Sequence, residues 1–385
     1  MHSFTFDTAP SIVFAAGAAA RIGALAAARL GSRVLLVTDA GLVETGLVAP
    51  VLAGLSAAGV AASVFDGVVA DPPEDVVHRA AAAAVSFGAT GVIGLGGGSS
   101  LDVAKLAALL AVGQETLEGV YGVDRAVGPR LPLMLAPTTA GTGSEVTPIA
   151  IVTTGASQKL GVVSPVLLPD IALLDPELTY GLPPHVTAAT GIDAMVHAIE
   201  AHASASANSN PVSQALAREA LRLIGPVLER AVRHGRDAEA RGRMLLGSML
   251  AGQAFANAPV AAVHALAYPI GGHFHVPHGL SNALMLSHVM RFNAVTAAAS
   301  YAEVAPCVFP HLAEAGVQIR AAMFADELAG LSARCGLARR LRDVGIPETA
   351  LPMLAADAMR QTRLLVNNPR PLTEVDALAL YRQAW

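Results

Sequence analysis

The sequence predicts two domains of different class, an α/β domain over residues 1–180 and an all-helical domain over residues 181–385. Three observations carry this. Up to about residue 180, β-branched apolar runs alternate with Ala-rich segments of helical spacing, the pattern of a parallel sheet covered on both faces. Past the Pro-rich stretch Leu182–Pro184, almost every segment keeps a 3.6-residue period without β-rich runs. The chain has 385 residues, more than the roughly 250–300 at which a single core stops growing.

The first half reads as SIVFAAG, a helix over Ala18–Leu30, and the strand RVLLVTD ending at Asp39. AASVFDGV, a helix over Glu74–Phe87, TGVIGLGGG, a helix from Leu101, and LPLMLAPTT follow. Only 4% of residues are aromatic while 53% are hydrophobic, so the core is built from Ala, Leu and Val. Mean hydropathy is +0.52, and Ala80 to Leu101 is uncharged and long enough to span a bilayer at about 1.5 Å per residue. Its GLGGGSS ending reads as a glycine loop, so no membrane span is expected. The net charge of −5 is scattered, with no basic stripe, which excludes a nucleic-acid partner. The start MHSFTFDTAP has no basic region followed by an apolar run, and Cys307 and Cys335 form no disulfide framework. A cytoplasmic protein is expected.

GLGGGSSLDVAK, Gly94 to Lys105, joins an apolar strand to a helix. Backbone N–H groups without side chains, at the positive end of a helix dipole, cradle a pyrophosphate; a plain tight turn is the alternative. Ser99 stands where the common dinucleotide fingerprint has its third glycine, and Lys105 is too far from the last glycine for a Walker loop. Glu115 and Glu118 fall in a loop and do not suit the ribose. Asp39 ends a strand, where a carboxylate accepts ribose hydroxyls of NAD and repels a 2′-phosphate, though it could equally cap the next helix.

GIDAMVHAIEAH sets Asp193 and His197 four apart on one helix face, a geometry that serves a shared ion or a surface contact. Glu200 and His202 read as solvated, or as supports behind the ligands. HALAYPIGGHFHVPHGLSNALMLSH then places His264, His273, His275, His278 and His288 within 25 positions. HExxH and CxxC are absent. An Asp-plus-His set suits Fe(II) or Zn(II).

GGGSSLDVAK at Gly96–Lys105, PTTAGTGSEVT at Pro137–Thr147, GIDAMVHAIEAH at Gly191–His202, HALAYPIGGHFHVPHG at His264–Gly279 and NNPRP at Asn367–Pro371 together resemble the iron-containing, or group III, alcohol dehydrogenase family. The resemblance covers nearly the whole chain. It implies a dehydroquinate-synthase-like architecture, with an N-terminal nucleotide-binding domain, a helical domain and an active site in the cleft between them. It implies metal ligands Asp193, His197, His264 and His278. It assigns Asp39 to the ribose of NAD, Gly96, Gly97, Gly98 and Ser99 to the pyrophosphate, Thr138 and Thr139 to adenine, and Thr142 to the phosphates. Asp102 and Lys159 are assigned to the nicotinamide side; helix caps at Asp102 and Thr142 and a solvated Lys159 are the alternatives. Phe255 resembles a position bordering the substrate pocket, or is simply core, while His273 and His275 are read as lining the cleft. His202 and His288 read as structural. Many members carry a histidine four residues after the third ligand, where this chain has Tyr268. A phenol with its ordinary pKa of about 10 is a poor base, so Tyr268 is a relay or a structural residue.

The activity so implied is hydride transfer between a small alcohol or aldehyde and NAD(H), in a homodimer or higher oligomer joined through the N-terminal strands. Two related activities compete: a metal-independent maleylacetate reductase, against which the intact ligand set argues, and a hydroxyacid–oxoacid transhydrogenase retaining its nicotinamide. A non-catalytic nucleotide- or metal-binding protein is the reading from another class.

Overall fold

The alternation of strands and helices builds one compact unit, residues Asp7–Thr139 and Gly143–Gly181. In the computed structural model, residues 3–155 and 158–385 are described. The unit's elements are β1 (Ile12–Phe14), α1 (Gly23–Arg29), β2 (Arg33–Asp39), α2 (Ala40–Glu44), α3 (Val48–Ala57), β3 (Ala61–Val68), α4 (Glu74–Phe87), β4 (Gly91–Gly96) and α5 (Gly98–Leu110). They continue as α6 (Leu117–Val120), β5 (Gly122–Val123), β6 (Leu133–Pro137), β7 (Ile149–Thr154), β8 (Gln158–Val163) and β9 (Ile171–Leu174). Six strands form a parallel sheet in the order β1-β9-β6-β4-β2-β3. β4 and β6 are buried at every residue, which explains their unbroken apolar sequences. Period-two alternation sends Leu35 and Val37 of β2 into a core with residues of α4 and α5, and Val34 and Leu36 into one with residues of α1 and α3.

The chain leaves β2 for the edge strand β3, returns at β4, and then proceeds in the other direction through β6 and β9. The sheet therefore reverses its winding between β2 and β4, and open α/β sheets bind ligands at the carboxyl ends flanking such a point.

Three details differ from the expectations. α5 begins at Gly98 rather than Leu101, because its first turn is Gly-Ser-Ser and apolar periodicity starts only at Leu101. Glu118 lies in the short helix α6, not in a loop. A second sheet, β5-β8-β7, includes an antiparallel pair that the strand-helix pattern did not announce, since its half-buried strands carry weaker apolar runs.

The buried Lys105 ties α5 to this second sheet. Its Nζ donates to Ser144 Oγ at 2.8 Å, Thr147 Oγ1 at 3.2 Å and Ile149 O at 2.7 Å. Burial pulls its pKa down to about 8 against the attraction of Asp102 and Glu145. Burial also pushes Glu145 up to about 7, and its Oε1 has no hydrogen-bond partner among the described residues. A raised carboxyl favours folding while it is protonated. That contribution is complete below the ordinary value of 4.5 and is lost as pH rises through about 7. Glu145→Gln is therefore expected to gain on wild type by an order of 2 kcal/mol in thermal unfolding between pH 5 and 8. Parallel stability curves across that range would contradict it.

The other unit contains residues 3–6, Ala140–Thr142 and Leu182–Trp385, and among its described residues it is helical. Its helices are α7 (Pro184–Ala203), α8 (Pro211–Ile224), α9 (Leu228–Arg233), α10 (Ala238–Asn257), α11 (Ala262–Phe274), α12 (His278–Val308), α13 (Val317–Arg334), α14 (Leu351–Ala358), α15 (Thr362–Leu365) and α16 (Glu374–Ala384). Pro at the first position starts α7 and α8, where a missing N–H costs nothing, and Asn210 adds a capping box to α8. α7 is buried along nearly all of its length from Thr187 to Ala203, and α8, α10 and α12 pack around it. No described helix is long and apolar enough to cross a membrane.

Candidate metal centre and cofactor-binding strand ends

Because α7 is a central helix, its polar residues point at neighbouring helices rather than at water. Asp193 and His197, one turn apart, are 2% and 5% exposed. His264 enters from the first turn of α11, and His278 is the first residue of α12. Gly279 permits the approach of α12: a Cβ there would lie 2.4 Å from Ala189 O on α7. One ligand atom from each of Asp193, His197, His264 and His278 lies within 4.8 Å of all the others. That is close to the span of about 4 Å bridged by two metal–ligand bonds of roughly 2.0–2.2 Å.

Each of two imidazoles has one nitrogen fixed by a neighbour. His197 Nδ1 meets Gly141 O at 3.1 Å, and His264 Nδ1 meets Glu200 Oε2 at 2.7 Å; donation from Nδ1 leaves Nε2 with its lone pair for a ligand. Glu200 is buried, not solvated, and has a second task. The first turn of α11 has no side-chain cap of its own, and Glu200 accepts from Ala261 N at 3.0 Å and Val263 N at 2.7 Å. Burial lowers the His197 pKa to about 4 against the pull of Asp193, so the ring is neutral, as a ligand must be. Burial opposes ionisation of Asp193, yet the surrounding imidazoles and Asn282 hold its pKa below the ordinary value.

Asn282 was not singled out in the sequence. Its Nδ2 lies 2.6 Å from Asp193 Oδ1 and 3.2 Å from both His264 Nε2 and His278 Nε2. Two amide protons thus face three electron-pair donors, a mismatch that a cation satisfies. One carboxylate with neutral imidazoles also leaves a divalent ion a net positive charge, so this donor set fits a Lewis-acidic metal.

The remaining histidines separate clearly. His273 Nε2 lies 2.5 Å from Asp357 Oδ2, and His275 is an exposed, left-handed residue ending α11; neither joins the ligand group. His273 thus contacts Asp357 from the last turn of α11, and His275 follows that turn. His202 is buried 3.5 Å from Glu303, and His288 is half-buried, with its pKa lowered to about 4 by desolvation and by Arg291. Phe255 of α10 stacks on His197, with centroids 4.3 Å apart, and Tyr268 lies with its ring 5.7 Å from that of His278. NNPRP does not supply ligands. Asn367 Nδ2 instead donates to Val260 O at 3.2 Å, and Asn368 pairs reciprocally with Asn293 of α12 at 2.8 and 2.9 Å.

In the α/β unit, the carboxyl ends of the adjacent strands β2, β4 and β6 carry Asp39, Gly96 to Ser99, and Thr138 with Thr139. Thr138 N donates to Gly96 O at 2.9 Å, and Gly97 caps α5 with its backbone extended. Asp39 does cap: its Oδ1 accepts from Leu42 N at 3.0 Å. Asp102 caps nothing. It accepts from Ser144 Oγ at 2.6 Å and Ile151 N at 2.9 Å, which ties α5 to the Ser144 side chain and to the β7 backbone and engages both of its oxygens. Lys159 stands on β8 and pairs with Asp71 at 2.6 Å, so it is neither solvated nor among the strand-end residues. Thr142 groups with the helical unit and is half-buried; Gly143, not Thr142, occupies the cap position of the following turn.

Residues 9–176 match the family described as iron-containing alcohol dehydrogenase, and residues 187–385 match the C-terminal Fe-containing alcohol dehydrogenase family. The chain is 43% identical over 364 residues to long-chain-alcohol dehydrogenase 1 of Geobacillus thermodenitrificans, covering 93% of this chain and 91% of the relative. A crystal structure of 1,3-propanediol oxidoreductase superposes with a TM-score of 0.96 at 34% identity over 100% of both chains. The sulfoacetaldehyde reductase of Bifidobacterium kashiwanohense, solved in complex with NAD+, gives a TM-score of 0.87 at 29% identity, covering 100% of this chain and 99% of the other.

Proposed function

The chain belongs to the iron-containing alcohol dehydrogenase family, and from that premise we propose that it oxidises a small alcohol with NAD, and reduces the aldehyde or ketone with NADH, using a divalent ion on Asp193, His197, His264 and His278. As a member it is an oxidoreductase acting between alcohols and carbonyl compounds. The observation that carries the residue assignment is the convergence of four ligand atoms from three helices within 4.8 Å. The family description favours Fe(II), and the one-carboxylate, three-imidazole set also suits Zn(II). When bound, the ion supplies Lewis acidity toward the substrate oxygen and the nicotinamide supplies the hydride acceptor or donor.

The protein's own residues do the rest. Gly141 O and Glu200 hold His197 and His264 in the ligating orientation. Phe255 presents an apolar ring against His197 and keeps water from that side of the site. At the strand ends, Gly96, Gly97, Gly98 and Ser99 offer backbone N–H groups at the start of α5 for the pyrophosphate, with Thr138 and Thr139 beside them for adenine and Thr142 for the phosphates. Asp39 Oδ2 serves the ribose while Oδ1 caps α2. Asp102 and Lys159 act on the nicotinamide side indirectly, by fixing α5 and β8. Tyr268, close to the partly exposed His278, is the proposed relay for the hydroxyl proton. Ile12 and Phe14 of the edge strand β1 are 39% and 44% exposed, which supports a homodimer formed through that strand.

The deciding assay strips the protein with chelator, reloads it separately with Fe(II) and Zn(II), and runs a panel of alcohols with NAD and NADP, on wild type and Tyr268→Phe. Activity is expected to vanish on chelation, return with ion, and favour NAD. Activity surviving complete chelation would sink the metal assignment, equal rates with both cofactors would remove the argument from Asp39, and an unchanged pH profile in Tyr268→Phe would end the relay.

A further inference from the structure

The Asn282 side chain is fully buried and sits among the ligands without being one of them. It lies one turn beyond His278 on α12, so both face the same way. Its Nδ2 faces Asp193 Oδ1 at 2.6 Å and two imidazole nitrogens at 3.2 Å, while its Oδ1 is buried without a hydrogen-bond partner among the described residues. Native cores rarely keep such an orphan acceptor, and leucine has the same branching without one. An amide retained at this position despite its unsatisfied oxygen is there for its N–H end.

Resting on the metal reading above, we propose that Asn282 is a positioning residue for the metal centre, whose amide fixes Asp193 Oδ1 through the lone pair that an ion does not use, and so sets ion affinity and ligand field. The donated hydrogen bond selects the rotamer of Asp193. It also withdraws negative charge from that carboxylate, which leaves a bound cation more Lewis-acidic than an unbonded aspartate would. Such an outer partner typically governs roughly 10–100-fold in affinity.

The test titrates chelator-stripped full-length wild type, Asn282→Leu and Asn282→Asp with Co(II), reading affinity and the visible d–d bands, alongside thermal unfolding of each metal-free protein. Wild type is expected to bind one Co(II) per chain. Asn282→Leu should bind Co(II) roughly 10–100-fold more weakly with shifted bands, by more than any change in its metal-free unfolding accounts for. Asn282→Asp, which keeps the shape but has no N–H to donate, should also shift the bands. A merely structural asparagine would leave the isosteric Asn282→Asp protein with wild-type bands, and that result overturns the proposal, as does an Asn282→Leu protein with wild-type affinity and bands. If Asn282→Leu does not fold, Asn282→Ser carries the same comparison. Failure of wild type to take up Co(II) is a different outcome and removes the metal reading itself.

Discussion

Replacing His264 with alanine is expected to lower kcat/KM by about 1,000-fold or more and to leave the purified protein nearly free of metal. The loss should exceed the roughly 10–100-fold attached to outer hydrogen-bond partners, because a ligand is removed outright. It also leaves Glu200 without the ring it orients, although Glu200 keeps its two backbone donors, so α11 retains its cap and the variant should fold. His275→Ala is the matched control. His275 lies in the same run of histidines but is exposed at a helix end, and its removal should cost little. Steady-state kinetics with metal analysis by mass spectrometry reads both. If the two variants lose activity equally, the site is not the one drawn by the four converging side chains.

The second large effect is expected at Gly97. A Cβ there would meet nothing closer than Thr139 Cγ2 at 3.6 Å, ordinary van der Waals contact, and the backbone is extended, so Gly97→Ala should fold and melt like wild type. The same methyl would project where the N-terminus of α5 offers its N–H groups to a pyrophosphate. The KM for NAD should rise by about tenfold or more, with the metal content unchanged. Gly96→Ala makes the useful contrast: its Cβ would lie 2.6 Å from Ser100 and its φ is +155°, so it should lose stability as well as cofactor affinity. An unchanged KM in a well-folded Gly97→Ala protein would place the cofactor elsewhere.

How much of this was legible in the sequence depends on the range of each interaction. α4 is read from Glu74 to Phe87 because apolar periodicity is written into its own residues, and the Asp193–His197 pair follows from one helical turn. The selection of His264 and His278 from five clustered histidines needed the family motif, since periodicity says which face a residue is on but not which helix will meet it. Glu200 and Asn282 show the same limit more sharply. Each acts across helices, through contacts 64 and 89 positions apart in the chain, and neither residue type carries a signal of its own. The strand-end residues were easier, because Asp39 and the glycine run each close a strand that sequence alone can recognise. The hairpin β7–β8 escaped because its strands are only partly buried and lack the dense apolar signature of β4.

Glu200 has a consequence for how the protein behaves as a thermodynamic object. One carboxylate closes the frayed end of a helix and orients an imidazole, so the two cannot vary independently. Anything that tightens the grip on the His264 ring also suppresses opening of the first turn of α11, and anything that loosens that turn weakens the grip by the same factor. Occupancy of the centre and local order around Ala261 and Val263 are thus reciprocal readouts of a single equilibrium.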